Sequence, residues 1–324
     1  MNGNHPVLLC GSAHPAFSEA VAKALGLPTL NITNQRFADG EVRVELHDNV
    51  RNRDVFILQP TCPPVNDNVM ELALLVDMLN RSSVRRITAV MPYYGYARQD
   101  RKAAARAPIS AKLVADLLTA AGVQHVLTMD LHAMQIQGFF DIPVDHLYAS
   151  PVFEKDIRQT HNLDETIVVS PDAGGVGRAR ALARRLSVPL AMMDKRRPEP
   201  NKVGELRLVG NVKGKSCIVF DDMVDTGGTI AAVAEVLKKK GASRVSAYVT
   251  HGLFSGSAPE RLKDSAFDEF VVTDSVPLRP EVLQLGFVRQ VTVAPYFAEA
   301  IRRISTGDSL SALYEDFPEE IAIS

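Results

Sequence analysis

The chain has 324 residues, 46% of them hydrophobic, and a formal net charge of −2 at pH 7. That is enough apolar material for two domains of ordinary size, and the near-neutral balance gives no global pull toward nucleic acid or an anionic membrane, so any anion must be bound locally. No run approaches the ~20 apolar residues of a membrane span, and the first residues lack a charged segment followed by a long apolar one. The three cysteines, Cys10, Cys62 and Cys217, are odd in number and lack metal-ligand spacing, which reads as reduced thiols. A soluble cytoplasmic protein with neither nucleic-acid nor membrane partners is expected.

In chain order, apolar and β-branched runs closed by turn residues predict strands at 7–10, 54–58, 87–91, 125–129, 166–169, 190–193, 216–220, 245–249 and 269–272. Helix-period segments fall between them at 16–25, 68–80, 110–121, 177–186 and 230–240. This alternation predicts an α/β protein with mainly parallel sheets flanked by helices. So many strands would crowd one open sheet, and the polar stretch 153–164 offers a seam. The expected domains are therefore 1–149 and 150–324, with the last helix able to pack back on the first. VLTMDLHA at 126–133 and IVVSPDAGG at 167–175 echo each other, each a strand ending in an acid beside a small or polar loop.

The densest chemistry lies at 216–229, SCIVFDDMVDTGGT. An apolar run stops in Asp221 and Asp222, at the carboxyl end of a parallel strand where α/β proteins bind ligands. Asp225, Thr226, Gly227, Gly228 and Thr229 then lead into a helix whose first amide N–H groups and positive dipole end face the same place. A glycine pair after a strand is commonly only a tight turn, but the acids, hydroxyls, glycines and helix start converge here on a phosphate cradle beside two polyol-binding carboxylates. GNVKGKS at 210–216 is not a second cradle: three residues separate its glycines where a P-loop needs four, and it precedes a strand where a P-loop must follow one.

Four further clusters fall on expected loops. FADGE at 37–41 carries Phe37, Asp39, Gly40 and Glu41 and reads as a hairpin turn, since Asp-Gly is flanked by strand-like sequence. RQDRK at 98–102, with Arg98 and Gln99, crowds cations after the helix-averse PYYGY. His132 follows Asp130 at a strand end, and Asp172 ends another. One imidazole and one carboxylate make a modest Mg²⁺ site that needs a polyphosphate for its remaining oxygens. DKRRP at 194–198 places Lys195, Arg196 and Arg197 at a strand end before proline, where a cationic lid could close over phosphoryl oxygens.

The cradle resembles the ribose-phosphate loop of the phosphoribosyltransferase fold. FADGE, RQDRK, DLHA, QIQGFFDIPVDHL, SPDAGGVGRAR, DKRRP and DDMVDTGGT, in this order along nearly the whole chain, resemble the ribose-phosphate diphosphokinase (phosphoribosyl pyrophosphate synthetase) family of the magnesium- and phosphate-dependent class. The resemblance implies two tandem phosphoribosyltransferase-like domains and transfer of the β,γ-diphosphoryl group of ATP to the C1 hydroxyl of ribose 5-phosphate. It implies ATP binding by Phe37, Asp39, Gly40, Glu41, Arg98 and Gln99, and ribose 5-phosphate binding by Arg197, Asp221, Asp222, Asp225, Thr226, Gly227, Gly228 and Thr229. Lys195 and Arg197 are implied as catalytic cations, and His132 and Asp172 as contacts of the Mg²⁺ cofactor. It further implies a homohexamer with ADP and phosphate as effectors. One departure stands out: relatives read Arg-Glu-Pro-Ile where this chain has Arg106, Ala107, Pro108 and Ile109, which leaves the allosteric response open. A phosphoribosyltransferase would use the same cradle but has no need of FADGE or RQDRK. A regulatory subunit would not need the cations and metal contacts, and a transcription regulator would need a basic recognition helix.

Overall fold

The structure, a computed structural model, describes residues 6–196 and 205–315. It divides into two compact units, one comprising the described residues up to Tyr148 together with those from Thr292 onward, the other Ala149–Val291.

The first unit contains β1 (Val7–Cys10), α1 (Pro15–Leu25), a hairpin of β2 (Ile32–Arg36) and β3 (Val42–Leu46), β4 (Asp54–Leu58), α2 (Val65–Arg81), β5 (Arg86–Met91), α3 (Ser110–Ala121), β6 (His125–Met129) and β7 (Val144–Leu147). Its main sheet is wholly parallel, in the order β1-β4-β5-β6-β7. Alternate strand residues point to opposite faces. Leu9, Ile57 and Ala89 join Leu72, Leu75 and Leu79 of α2 and Val114 and Leu118 of α3 in one core. Leu8, Phe56, Leu58 and Val90, pointing the other way, are equally buried. Burial on both faces is why these strands read as unbroken apolar runs.

The second unit opens with α4 (Ser150–Thr160), then β8 (Thr166–Ser170), α5 (Val176–Leu186), β9 (Leu190–Arg196), β10 (Glu205–Val209), β11 (Ser216–Val224), α6 (Gly228–Lys239), β12 (Arg244–Gly252), α7 (Ala258–Lys263), β13 (Glu269–Thr273), α8 (Pro280–Leu283) and β14 (Val288–Val291). Its sheet runs β10-β9-β8-β11-β12-β13-β14, parallel except for the antiparallel β10–β9 pair. The chain then returns to the first unit as α9 (Ala294–Thr306) and α10 (Ala312–Glu315).

The polar stretch expected as a seam is the helix α4. Its start at Ser150-Pro151 suits proline in a first helical turn, and its Phe153 packs edge-on against Phe220 and Tyr248, at centroid distances of 5.9 and 5.5 Å. In the first unit α9 makes the matching contact, Phe297 lying edge-on to Phe17 of α1 at 5.7 Å. The helices share a spacing, Pro151-x-Phe153-x-x-x-Ile157 and Pro295-x-Phe297-x-x-x-Ile301. Each follows the last parallel strand of one half, β7 or β14, and belongs to the unit of the other half. The halves have therefore exchanged their closing helices, which is why the second unit ends at Val291 while the expected second domain ran to residue 324.

A charged cluster ties α4 to the far strands of the second sheet. Arg289 binds Asp156 through two hydrogen bonds of 2.5 and 2.8 Å and Glu269 at 2.7 Å, while Arg244 reaches the same glutamate at 2.6 Å. Burial works to raise the Glu269 carboxyl, but His161, Arg289 and Arg244 hold it down from the ordinary 4.5 to about 2. A depressed acid stabilises the fold fully above its unfolded pKa and loses that contribution as pH falls through the folded one. Glu269→Gln is therefore expected to lose up to about 3 kcal/mol at neutral pH, with the deficit shrinking as pH drops from 4.5 to 2. Thermal unfolding across that window checks this; a deficit independent of pH would contradict it.

Candidate active site

The strand expected to stop at 220 continues to Val224, pairing Asp221 with Val249, Met223 with His251 and Val224 with Gly252. Asp221 and Asp222 thus lie inside the ladder instead of in the following loop, so their positions are set by the sheet. Asp222 is only 4% exposed. A buried acid beside a half-buried one needs a cation, and Arg178 in the first turn of α5 supplies it. Its guanidinium pairs with Asp222 and lies 3.7 Å from Asp221. Burial and then the Asp222 charge push the Asp221 carboxyl well above the usual range, against the pull of Arg178.

The loop after β8 folds beside these acids. The Asp172 side chain is exposed and accepts the Gly175 N–H at 2.8 Å, while the Ser170 hydroxyl donates to the Asp172 carbonyl at 2.7 Å. A Cβ on Gly175 would sit 3.0 Å from Ser170 Oγ, 3.6 Å from Asp172 Oδ1 and 3.7 Å from Asp221 Oδ1. Glycine is what lets this backbone approach a strand end crowded with oxygens.

Beyond Val224 the chain turns through Asp225 and Thr226 to Gly227, which caps α6 with φ +72°, a left-handed value that glycine adopts without strain. The helix starts at Gly228, two residues before the expected Ile230. Gly228, Thr229 and Ile230 are therefore first-turn residues whose N–H groups have no carbonyl four residues back to bond. The backbone at 224 and 225 is held from the β12–α7 loop: the Leu253 and Ser255 N–H groups donate to the Val224 and Asp225 carbonyls at 2.9 and 3.0 Å.

The residues assigned to ATP lie in the first unit. Phe37, Asp39, Gly40 and Glu41 form the turn of the β2–β3 hairpin: the Phe37 N–H donates to the Glu41 carbonyl at 2.8 Å and Asp39 accepts the Glu41 N–H at 3.1 Å. The Phe37 ring is 51% exposed. Arg98 and Gln99 are exposed on the β5–α3 connection. The Gln99 side chain accepts from the Ser110 hydroxyl at the start of α3, and Asp100 accepts from Gln135 at 2.6 Å, tying this connection to the turn after His132. His132 is half-buried, in a loop anchored where the Leu131 N–H donates to His146 Nε2 at 2.9 Å. Lys195 sits in β9, its backbone paired with Leu206 of β10, so residues 194–196 belong to one strand of an antiparallel ribbon that outruns the expected end at 193. Arg197 lies outside the described residues.

The two units dispose of their first βα loops differently. In the second, β8 leads to the Asp172 loop; in the first, β1 leads to residues 11–14, whose Ser12 and Ala13 N–H groups bind Glu71 and Gln59 at 2.6 and 3.1 Å. Protein acceptors already fill the amides of that loop. The topology sets β8 against β1 as the opening strand of each half, so the sequence echo between 126–133 and 167–175 does not mark equivalent positions. Nor is a thiol a candidate nucleophile: burial pushes Cys10 up to about 11 and Cys62 and Cys217 up to about 12.

Two α/β units with parallel sheets, one carrying paired strand acids ahead of a glycine-capped helix, define a protein of the phosphoribosyltransferase-like class. Residues 6–122 match the N-terminal domain of ribose phosphate pyrophosphokinase, and residues 178–315 match the phosphoribosyl synthetase-associated domain. The chain is 53% identical to a ribose-phosphate pyrophosphokinase of Ralstonia nicotianae over 317 residues, 98% of this chain and 100% of that one. It is 52% identical to that of Pasteurella multocida over 309 residues, 95% of this chain and 98% of that one. It superposes on a phosphoribosylpyrophosphate synthetase structure from Mycobacterium smegmatis with a TM-score of 0.88 at 42% identity, covering 94% of this chain and 99% of that one. The chain belongs to the ribose-phosphate pyrophosphokinase family.

Arg178 lies within SPDAGGVGRAR, yet nothing in that motif marks it as the partner of the β11 acids. Its partners are on a strand far along the chain, and no local spacing announces such a pairing.

Proposed function

We propose that this chain transfers the β,γ-diphosphoryl group of ATP to the C1 hydroxyl of ribose 5-phosphate, releasing AMP and 5-phosphoribosyl 1-pyrophosphate. The observation that carries the reading is the run of β11 acids into the left-handed Gly227 and the first turn of α6. Asp225, Thr226, Gly227, Gly228 and Thr229 hold the 5-phosphate, and Asp221 with Asp222 accept hydrogen bonds from the ribose hydroxyls. Phe37 stacks on the adenine of ATP, with Asp39, Gly40, Glu41, Arg98 and Gln99 completing its site. Attack by a hydroxyl on phosphorus asks the protein for alignment and for cations on the non-bridging oxygens, the task of Lys195 and Arg197.

Among the described residues no group of three His, Cys, Asp or Glu forms a metal cage. That suits Mg²⁺, which keeps several waters and takes substrate phosphates with one or two protein oxygens. Asp172, exposed with one oxygen engaged by Gly175, and His132 would contact it. When bound, the ion offsets the triphosphate's negative charge. No helix among the described residues is long and apolar enough to cross a membrane; family membership supports a cytoplasmic homohexamer with ADP and phosphate as effectors.

The test is a coupled assay for AMP and 5-phosphoribosyl 1-pyrophosphate on mixing ATP with ribose 5-phosphate, with and without Mg²⁺, phosphate and ADP. Both products should appear in equal amounts and only with Mg²⁺. Absence of AMP, together with consumption of added 5-phosphoribosyl 1-pyrophosphate, would establish a phosphoribosyltransferase instead.

A further inference from the structure

Arg261 lies on α7, outside every motif in the sequence, yet its side chain ends at the phosphate loop. Its guanidinium donates to the Thr226 carbonyl, and its Nη1 is 3.7 Å from where a Cβ on Gly228 would be. Arg261 has no ion-pair partner among the described residues, so this charge is not neutralised locally. The surrounding backbone is held firmly: Arg279 Nη1 donates to the Phe254 and Gly256 carbonyls at 2.9 Å each, and the Arg261 N–H donates to the Ser257 carbonyl at 3.1 Å.

A planar trans peptide points its carbonyl and its N–H in opposite directions. The Thr226 carbonyl and the Gly227 N–H belong to one peptide unit, so a guanidinium that fixes the first fixes the second, turning the Gly227 N–H away from α7. The left-handed Gly227 that follows leaves this peptide otherwise free to rotate, since glycine crosses φ space with little steric hindrance. We propose that Arg261 is a positioning residue for ribose 5-phosphate: it locks the Thr226–Gly227 peptide with its N–H toward the 5-phosphate and adds an uncompensated positive charge behind the loop. This rests on the reading that residues 225–229 bind the phosphate. The role belongs to substrate capture and not to the transfer step, so it predicts a change in KM separate from kcat.

The experiment compares Arg261→Met, Arg261→Lys and Gly227→Ala with the parent enzyme. Measurements are kcat, the KM of each substrate, thermal midpoint, and calorimetric binding of ribose 5-phosphate without ATP. Arg261→Met should raise the ribose 5-phosphate KM and weaken its binding by about tenfold or more, the scale of a lost charge-assisted hydrogen bond. Turnover and the ATP KM should stay within about twofold, and Arg261→Lys should recover most of the loss. If Gly227→Ala raises the ribose 5-phosphate KM while Arg261→Met leaves it unchanged, the positioning role fails and the phosphate-loop reading stands. If both variants leave it unchanged, the loop reading itself fails. A lowered thermal midpoint with both KM values raised together, unrelieved by lysine, would show Arg261 to be merely structural and overturn the inference.

Discussion

Lys195→Ala is expected to lower turnover by about 10³ or more while ribose 5-phosphate binding stays near normal, the scale for a cation that contacts charge only in the transition state of phosphoryl transfer. The backbone at Lys195 is held by its pairing with Leu206 in the β9–β10 ribbon, so alanine removes the ammonium without removing the strand. An interaction made only as the diphosphoryl group moves should depress kcat and kcat/KM equally. Lys195→Arg keeps the charge but replaces a compact ammonium by a planar fork, and it should restore only part of the loss. Initial rates at saturating ATP and ribose 5-phosphate decide the matter: turnover near the parent value in Lys195→Ala would remove this residue from the mechanism.

Asp222→Ala should damage both stability and substrate capture, and the two effects can be separated. Asp222 is buried and paired with Arg178, so its removal takes the nearest carboxylate from a half-buried guanidinium, at a cost of roughly 3 kcal/mol. On the proposed reading Asp222 also accepts from the ribose hydroxyls, and losing charge-assisted bonds of that kind corresponds to a ribose 5-phosphate KM raised about a hundredfold. Adding Arg178→Met to Asp222→Ala removes the guanidinium that Asp222 neutralised. The double variant should therefore regain much of the urea midpoint without regaining affinity, because coupled neighbours are not additive. If affinity returned along with stability, Asp222 would be a folding residue and not a sugar ligand.

Much of this was legible along the chain. Strands buried on both faces carry no alternation and stand out as apolar blocks between helical periods, so β1, β4, β5 and β6 lie within a residue of where expected and β11 starts where expected. The FADGE turn was legible because Asp-Gly between strand-like runs favours a hairpin. The return of the last helix to the first unit was also expected, but the first closing helix, α4, was not. The α4 sequence SPVFEKDIRQT is polar on most of its surface and buries only Pro151, Val152, Phe153 and Ile157, too few to distinguish it from a linker without its partners Phe220 and Tyr248. Of the β9–β10 ribbon only β9 to residue 193 was legible; its extension and its partner β10 were hidden, since an edge strand that pairs on one side needs little apolar sequence.

Two acids at the end of a buried strand followed by glycines and hydroxyls at a helix start, the residues of the proposed phosphate site, were determined by sequence alone, because those features depend on neighbours a few positions apart. Tertiary structure decided which helix closes which unit, that Arg178 pairs with Asp222, that protein acceptors fill the first-unit loop, and that Arg261 reaches Thr226. Each of those depends on groups distant along the chain and adjacent only once the sheets have formed, and local spacing holds no record of such meetings.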